Sequence, residues 1–320
     1  MFNARFMKKG MFLFSLFCTA GIIIGSGAGL GCVAQAEAEN VLDITEITNE
    51  KYTRVEVKNL SKRRKAKLLR SKDEQLVEFA EKWELDLDTL TKSSGVIIQQ
   101  QTFALDDGIV YNDDGSVVEG IKPSDFEKIE SDNGISPLAN YNKDTVNDYM
   151  KLNTVAYTLD DETTAAGNPV FKIVGNAKMS KQFKMRNREE IFTITGGANS
   201  VYCDSHVRKG LVAFKLATPK TKYVYEDLAP NYSTSFGVLY KFRNKPTAYD
   251  ENNSSWNADL ASISGTHFLI ITNDSSVQIT YVHNEDWWGN NLTINIGHLG
   301  YTFKGSHTEY VAEPVTLYYK

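Results

Sequence analysis

Cys203-Asp204-Ser205-His206 places a thiol and an imidazole close together in the chain. A cysteine nucleophile needs a base to lower its pKa and a third group to orient that base, and Asp204 and Ser205 are nominal partners. Catalytic partners usually meet through the fold rather than as sequence neighbours, and no family signature surrounds Cys203. The segment therefore reads first as a small buried thiol, and second as a hydrolase centre built on Cys203 and His206. A second constellation is Glu285-Asp286-Trp287-Trp288-Gly289-Asn290-Asn291, between two strand-like runs. Successive strand side chains alternate, so adjacent tryptophans cannot both enter one sheet face. Flat aromatics beside carboxylates and amides suit stacking on sugar rings or anchoring a protein. Trp287, Trp288, Glu285, Asp286 and Asn290 are thus the expected binding residues, and a tryptophan closing the end of a core is the plainer alternative.

His283 and His298 end two apolar strand faces that a hairpin near Gly289 would bring together. Zinc needs three or four such ligands, and only Glu285 or Asp286 stands nearby, so the two read as structural histidines and a metal site is the weak alternative. Asp106-Asp107-Gly108 and Asn112-Asp113-Asp114-Gly115 are turn chemistry, because these residues tolerate positive φ. They lack the alternating oxygens and final glutamate of a calcium loop. Phosphate-binding glycine loops, nucleophile elbows, zincin helices and kinase signatures are absent, and the sequence implies no cofactor.

The elements that must hold these residues fall into four stretches. Residues 1–38 read as an export signal. Arg5, Lys8 and Lys9 precede an apolar core from Met11 to Ile24, and Ala34-Gln35-Ala36 and Ala36-Glu37-Ala38 offer cleavage sites. The core is broken by Thr19, Gly21, Gly25, Ser26 and Gly27, which argues against a retained spanning helix. Acylation at Cys32 is the lesser alternative, since Gly29 stands where a lipobox has an aliphatic residue. Removal of 1–38 takes away three basic residues and one acidic residue, moving the net charge from −5 to about −7. That balance disfavours nucleic acid as a partner. It also leaves Cys203 as the one cysteine of the mature chain, so stability must come from packing. An exported chain without disulfides points to a Gram-positive bacterium.

Residues 39–120 form a charged region, a stalk or a pro-region. The basic run Lys62, Arg63, Arg64, Lys65, Lys67, Arg70 and Lys72 reads first as a solvated helix or loop neutralised by the acids after Asp73, with contact to an anionic membrane or wall polymer, or a protease-sensitive site in a pro-region, as its alternatives. Ser71-Lys72-Asp73-Glu74 fits a capping box, and Leu76, Phe79, Ala80, Trp83 and Leu87 follow at helical spacing, predicting a helix from about Lys72 to Leu85. Strands are expected at Val96–Phe103 and Ile109–Val118. Residues 121–140 are an acidic linker with Pro123, Gly134 and Pro137.

Residues 141–320 carry many short alternating runs. They lie at Phe171–Met179, Glu190–Thr195, Leu211–Ala217, Lys222–Glu226, Phe236–Phe242, His267–Thr272, Val277–His283, Leu292–Gly297 and Val315–Tyr319. The expected fold is mainly β, an antiparallel β-sandwich or flattened barrel, preceded by a small, partly helical α+β region. A Gly134-Ile135-Ser136-Pro137 joint followed by Tyr149-Met150-Lys151-Leu152 resembles the layout of uncharacterised exported Gram-positive proteins, a resemblance that implies no activity. The sequence thus suggests a secreted, non-catalytic β-sandwich binding an extracellular glycan, cell-wall polymer or protein. Its alternatives are the Cys203/His206 hydrolase and a membrane-active toxin with residues 39–139 as its pro-segment.

Overall fold

The computed structural model describes residues 43–68, 70, 73–105, 109–111, 149–164, 166–181, 183, 188–284, 294–296, 299–301 and 307–319. Residues 1–38, read above as an export signal, both aspartate-rich segments, residues 121–140, residues 285–291 and His298 lie outside them. In chain order the elements are β1 (Asp43–Thr48), β2 (Tyr52–Lys58), α1 (Lys62–Leu68), α2 (Glu74–Lys82), α3 (Leu87–Thr91), β3 (Ser93–Ala104), β4 (Ile109–Tyr111), β5 (Tyr149–Thr163) and β6 (Pro169–Met179). There follow β7 (Glu189–Gly196), β8 (Ser200–Tyr202), β9 (Gly210–Leu216), β10 (Lys222–Leu228), β11 (Tyr232–Ser233), β12 (Gly237–Arg243) and β13 (Thr247–Tyr249). The last are β14 (Ser255–Ile271), β15 (Ser275–Asn284), β16 (Ile294–Ile296), β17 (Leu299–Tyr301), β18 (His307–Val311) and β19 (Val315–Leu317).

Two antiparallel sheets pack face to face as a sandwich. The larger runs β1-β2-β3-β5-β6-β14-β9-β10, and the smaller runs β11-β12-β7-β15-β18-β4. Alternating residues fill the space between them, including Leu152, Ile173, Phe192, Ile194, Phe214, Ile263 and Ile279. The first three strands belong to this same large sheet: β3 pairs with β5 from Ser93↔Leu159 to Ala104↔Tyr149. The residues on either side of the 121–140 stretch therefore share one ladder.

A row of glycines fixes how closely the sheets approach. Gly175, Gly265 and Gly210 lie side by side on β6, β14 and β9. Tyr240 of β12 fills the trench they leave, so a Cβ on Gly265 would fall 2.5 Å from its ring and one on Gly210 would fall 2.7 Å from it. The Tyr240 hydroxyl then donates towards backbone carbonyls at the trench rim, Lys209 O at 2.9 Å and Thr266 O at 3.0 Å.

The helices cover part of the other face of the large sheet. Leu68, Leu76, Phe79, Ala80, Leu85 and Leu90 pack onto Val55, Val57, Val96, Ile98, Val155 and Tyr157, making a second core. The expected helix 72–85 is shorter than its apolar period suggests and runs from Glu74 to Lys82. Its N-cap is Asp73, one of whose oxygens accepts the Leu76 N–H at 3.3 Å, rather than Ser71. Aspartate is as good a cap as serine, and here it has a second use. The Arg64 guanidinium approaches the same carboxylate at 2.9 Å, with both groups buried. Burial pushes the Asp73 carboxyl up, but the Arg64 and Leu76 hydrogen bonds outweigh it and hold the group below its ordinary value.

The basic run is only partly solvated, and one of its cations is neutralised by an acid that follows it. It forms α1, in which Lys62 and Arg63 are exposed while Arg64 and Lys65 are buried. Arg64 pairs with Asp73 and Lys65 with Asp160. A buried ion pair is retained only with good geometry; Arg64 ties α1 to the start of α2, and Lys65 ties α1 to β5 of the sheet.

Candidate functional site

Alternation decides which side chains of the large sheet look outward. On β5 these are Lys151, Asn153, Val155 and Tyr157, and the ladder registers carry the assignment across the sheet. The helices cover the rows through Ile98–Val155–Val174 and Val96–Tyr157–Lys172. Beyond them the face is open and polar. One row runs Thr53, Gln100, Asn153, Asn176 and Ser264, each directly opposite the next on β2, β3, β5, β6 and β14. The next runs Thr102, Lys151, Lys178 and Ser262.

The first row spans four inter-strand spacings, about 19 Å. Its members are half-buried, so their rotamers are restricted before any ligand arrives. Gln100 Nε2 donates to Asn153 Oδ1 at 2.9 Å, and the buried Oδ1 of Asn176 has no hydrogen-bond partner among the described residues. Side-chain amides and hydroxyls present donors and acceptors alternately, which suits a ligand that is itself rich in hydroxyls. Further along the sheet, the edge strand β10 exposes Tyr223 and Tyr225, facing Lys215 and Ala213 of β9.

The sequence-derived residues fall elsewhere. The Trp287–Trp288 tip and its acidic and amide neighbours are outside the described residues, as is His298. His283 is buried at the end of the sandwich core, where its Nδ1 lies 2.9 Å from Glu190 Oε1. The Tyr281 hydroxyl donates to the same carboxylate at 3.0 Å, and Phe183 stacks on the imidazole at 4.0 Å. Burial and the adjacent Glu190 charge push the Tyr281 phenol well above its ordinary range. Three histidine, cysteine or carboxylate side chains suited to holding a metal are not clustered anywhere among the described residues.

Cys203 is a buried free thiol, 3.1 Å from Ser205 Oγ, and its N–H donates to Phe268 O. His206 lies flat on the Phe268 ring at 4.1 Å, packing as an aromatic plate. It lines a pocket of about 210 Å³ with Asp88, Thr89, Lys92, Leu159, Lys172 and Phe268. The charges there are matched in pairs: Lys92 with Asp88, and Lys172 with Asp86 and Thr89. Burial raises the Asp86 carboxyl, but hydrogen bonds from Thr89 and Lys172 hold it below its ordinary value.

Sequence reasoning missed the outward amide row. The signal was there as Gln99-Gln100-Gln101 and Asn153, but only the register shows that residues 53, 100, 153, 176 and 264 form one line. It also missed Glu190, whose burial follows from long-range pairing of β7 with β12 and β15.

No protein-family model and no curated protein matches the chain. Among solved structures, it is similar to Clostridium perfringens delta-toxin at 8% identity and a TM-score of 0.29, covering 86% of this chain and 96% of that one. It is also similar to the collagen-binding domain from a Staphylococcus aureus adhesin at 9% identity and a TM-score of 0.23, covering 47% and 91%. Likenesses this distant carry no functional argument. No helix among the described residues is long and apolar enough to cross a membrane.

Proposed function

We propose that the protein is an exported, non-catalytic β-sandwich that binds a hydroxyl-rich extracellular polymer, a glycan or wall polymer, on the open half of the large sheet. The supporting observation is the registered row Thr53–Gln100–Asn153–Asn176–Ser264. A sheet face that is merely solvated is served by exposed charges. Here half-buried amides stand in line instead, and one buried acceptor has no partner within the described fold. Leaving such a group unmatched costs about 1–3 kcal/mol, an incentive for the Asn176 side chain to turn its amide outward and hydrogen-bond a ligand hydroxyl. The Trp287–Trp288 segment is a further contact proposed from the sequence.

Binding to immobilised dextran and to purified Gram-positive wall polysaccharide tests this. Asn153→Ala/Asn176→Ala is expected to weaken binding about tenfold or more, the loss of one or two hydrogen bonds, with the β-type circular dichroism retained. Undiminished binding in that variant, together with loss in Trp287→Ala/Trp288→Ala, would move the contact to the tryptophan segment. Absence of binding by the wild type to either polymer would refute the proposal.

A further inference from the structure

The second open row contains an electrostatic conflict. Lys151 and Lys178 stand directly opposite each other on β5 and β6. Like charges in that position destabilise a sheet. Other lysines on this side of the sheet meet carboxylates: Lys215 faces Asp259 across the ladder, and Lys172 pairs with Asp86. In the Lys151–Lys178 pair only one lysine meets an acid. Lys178 pairs with Glu84, whereas Lys151 has no carboxylate partner among the described residues and extends over the Tyr149 ring at 5.2 Å.

The acid is delivered in an unusual way. Glu84 follows Trp83, the C-cap of α2, and has φ 53°, in the left-handed region. Glycine is the usual occupant of that position after a helix, because a Cβ there is sterically penalised. A glutamate therefore sits where backbone sterics disfavour it, and its carboxylate reaches Lys178. It is also largely solvent-exposed, with 67% of its side chain accessible, so a competing oxyanion can displace it without opening the fold.

We infer that Lys151 and Lys178 form a binding site for an oxyanion on the ligand, a carboxylate or a phosphate, and that the Glu84 carboxylate holds the Lys178 half of this site until the ligand displaces it. This rests on the proposed open-face binding and narrows the ligand to an acidic hydroxyl-rich polymer. Two ammonium groups about 5 Å apart at their Cβ atoms can converge on one oxyanion through charge-assisted hydrogen bonds. The amide row alongside would hold the neighbouring hydroxyls.

The test uses three probes on one backbone: neutral dextran, carboxymethyl dextran and phosphorylated dextran. For the wild type, at least one anionic probe is expected to bind about tenfold tighter than dextran at low salt, with the advantage shrinking as salt rises. Comparison of the two anionic probes identifies the oxyanion. Lys151→Gln/Lys178→Gln should bring the anionic-to-neutral ratio to about one, and Glu84→Gln should raise it about two- to fivefold by removing the competitor. A ratio near one in the wild type, or a ratio unmoved by the lysine substitutions or lowered by Glu84→Gln, would overturn the inference. If dextran still binds and Asn153→Ala/Asn176→Ala still weakens it, that failure leaves the open-face proposal standing. If none of the three probes binds, the open-face proposal falls with it.

Discussion

Gly265→Ala tests the packing on which the outer face depends. The added methyl would lie 2.5 Å from Tyr240 Cε2 and 3.1 Å from Cδ2, and Tyr240 is fully buried with Phe192 close behind the same site. A ring has no flexible end to swing aside, so either the tyrosine or the sheet must shift. Overpacking of this kind costs about 1–3 kcal/mol. Displacing the ring also loosens the one hydrogen bond the hydroxyl donates, shared between Lys209 O and Thr266 O, about 1 kcal/mol. Reduced entropy of the unfolded chain returns about 0.4–1 kcal/mol. The expected net loss is about 2 kcal/mol, read as a lowered urea midpoint with an unchanged slope. In a Tyr240→Leu background the trench is partly empty, and the same substitution should cost under about 1 kcal/mol. A Gly265→Ala variant as stable as the wild type would refute the close-approach argument, as would an equal cost in both backgrounds.

Acid sensitivity should trace in part to His267. It is fully buried, and neither ring nitrogen has a hydrogen-bond partner among the described residues. Desolvation, helped by repulsion from Arg208, pushes its pKa down to about 3 from an ordinary 6.5. Below pH 6.5 the unfolded chain binds a proton that the folded chain refuses, so the stabilisation present above 6.5 declines towards pH 3, by a few kcal/mol on the scale of about 1.4 kcal/mol per pK unit. His267→Phe, which keeps a ring beside Tyr202, should flatten that decline in urea midpoints, and an unchanged pH slope would contradict it. Asp73→Ala should destabilise by about 3 kcal/mol, because it removes the α2 cap and leaves Arg64 buried without its carboxylate. Asp73→Asn keeps a cap acceptor and should lose less, so equal losses in thermal melts would show that the cap contributes nothing.

The sandwich was legible from alternating runs such as Phe171–Met179 and Val277–His283, because period two survives wherever one face is buried. Strands β2 and β5 were harder to see. Their outward faces are apolar only under the helical cap, so Val55, Val57, Val155 and Tyr157 break the expected polar alternation. Residues 255–266 of β14 were hidden by Asn257, Asp259 and Gly265, types with low strand propensity. They were also hidden by an irregularity between Leu260 and Ser262 that shifts the register. The helix was visible in its apolar spacing, but its cap was not, because Ser71 and Asp73 both qualify and only the position of Arg64 favours the second. The amide row could not be read at all. Its five members are scattered over more than two hundred positions, and only strand order makes them neighbours.

Side-chain amide resonances of Gln100, Asn153 and Asn176, followed by NMR during titration with an acidic dextran, bear most directly on the proposed binding face. All three are expected to shift together and to saturate at the affinity measured in the binding assay. Saturable binding that moves the Trp287 and Trp288 indole signals while those three amides stay fixed would contradict it.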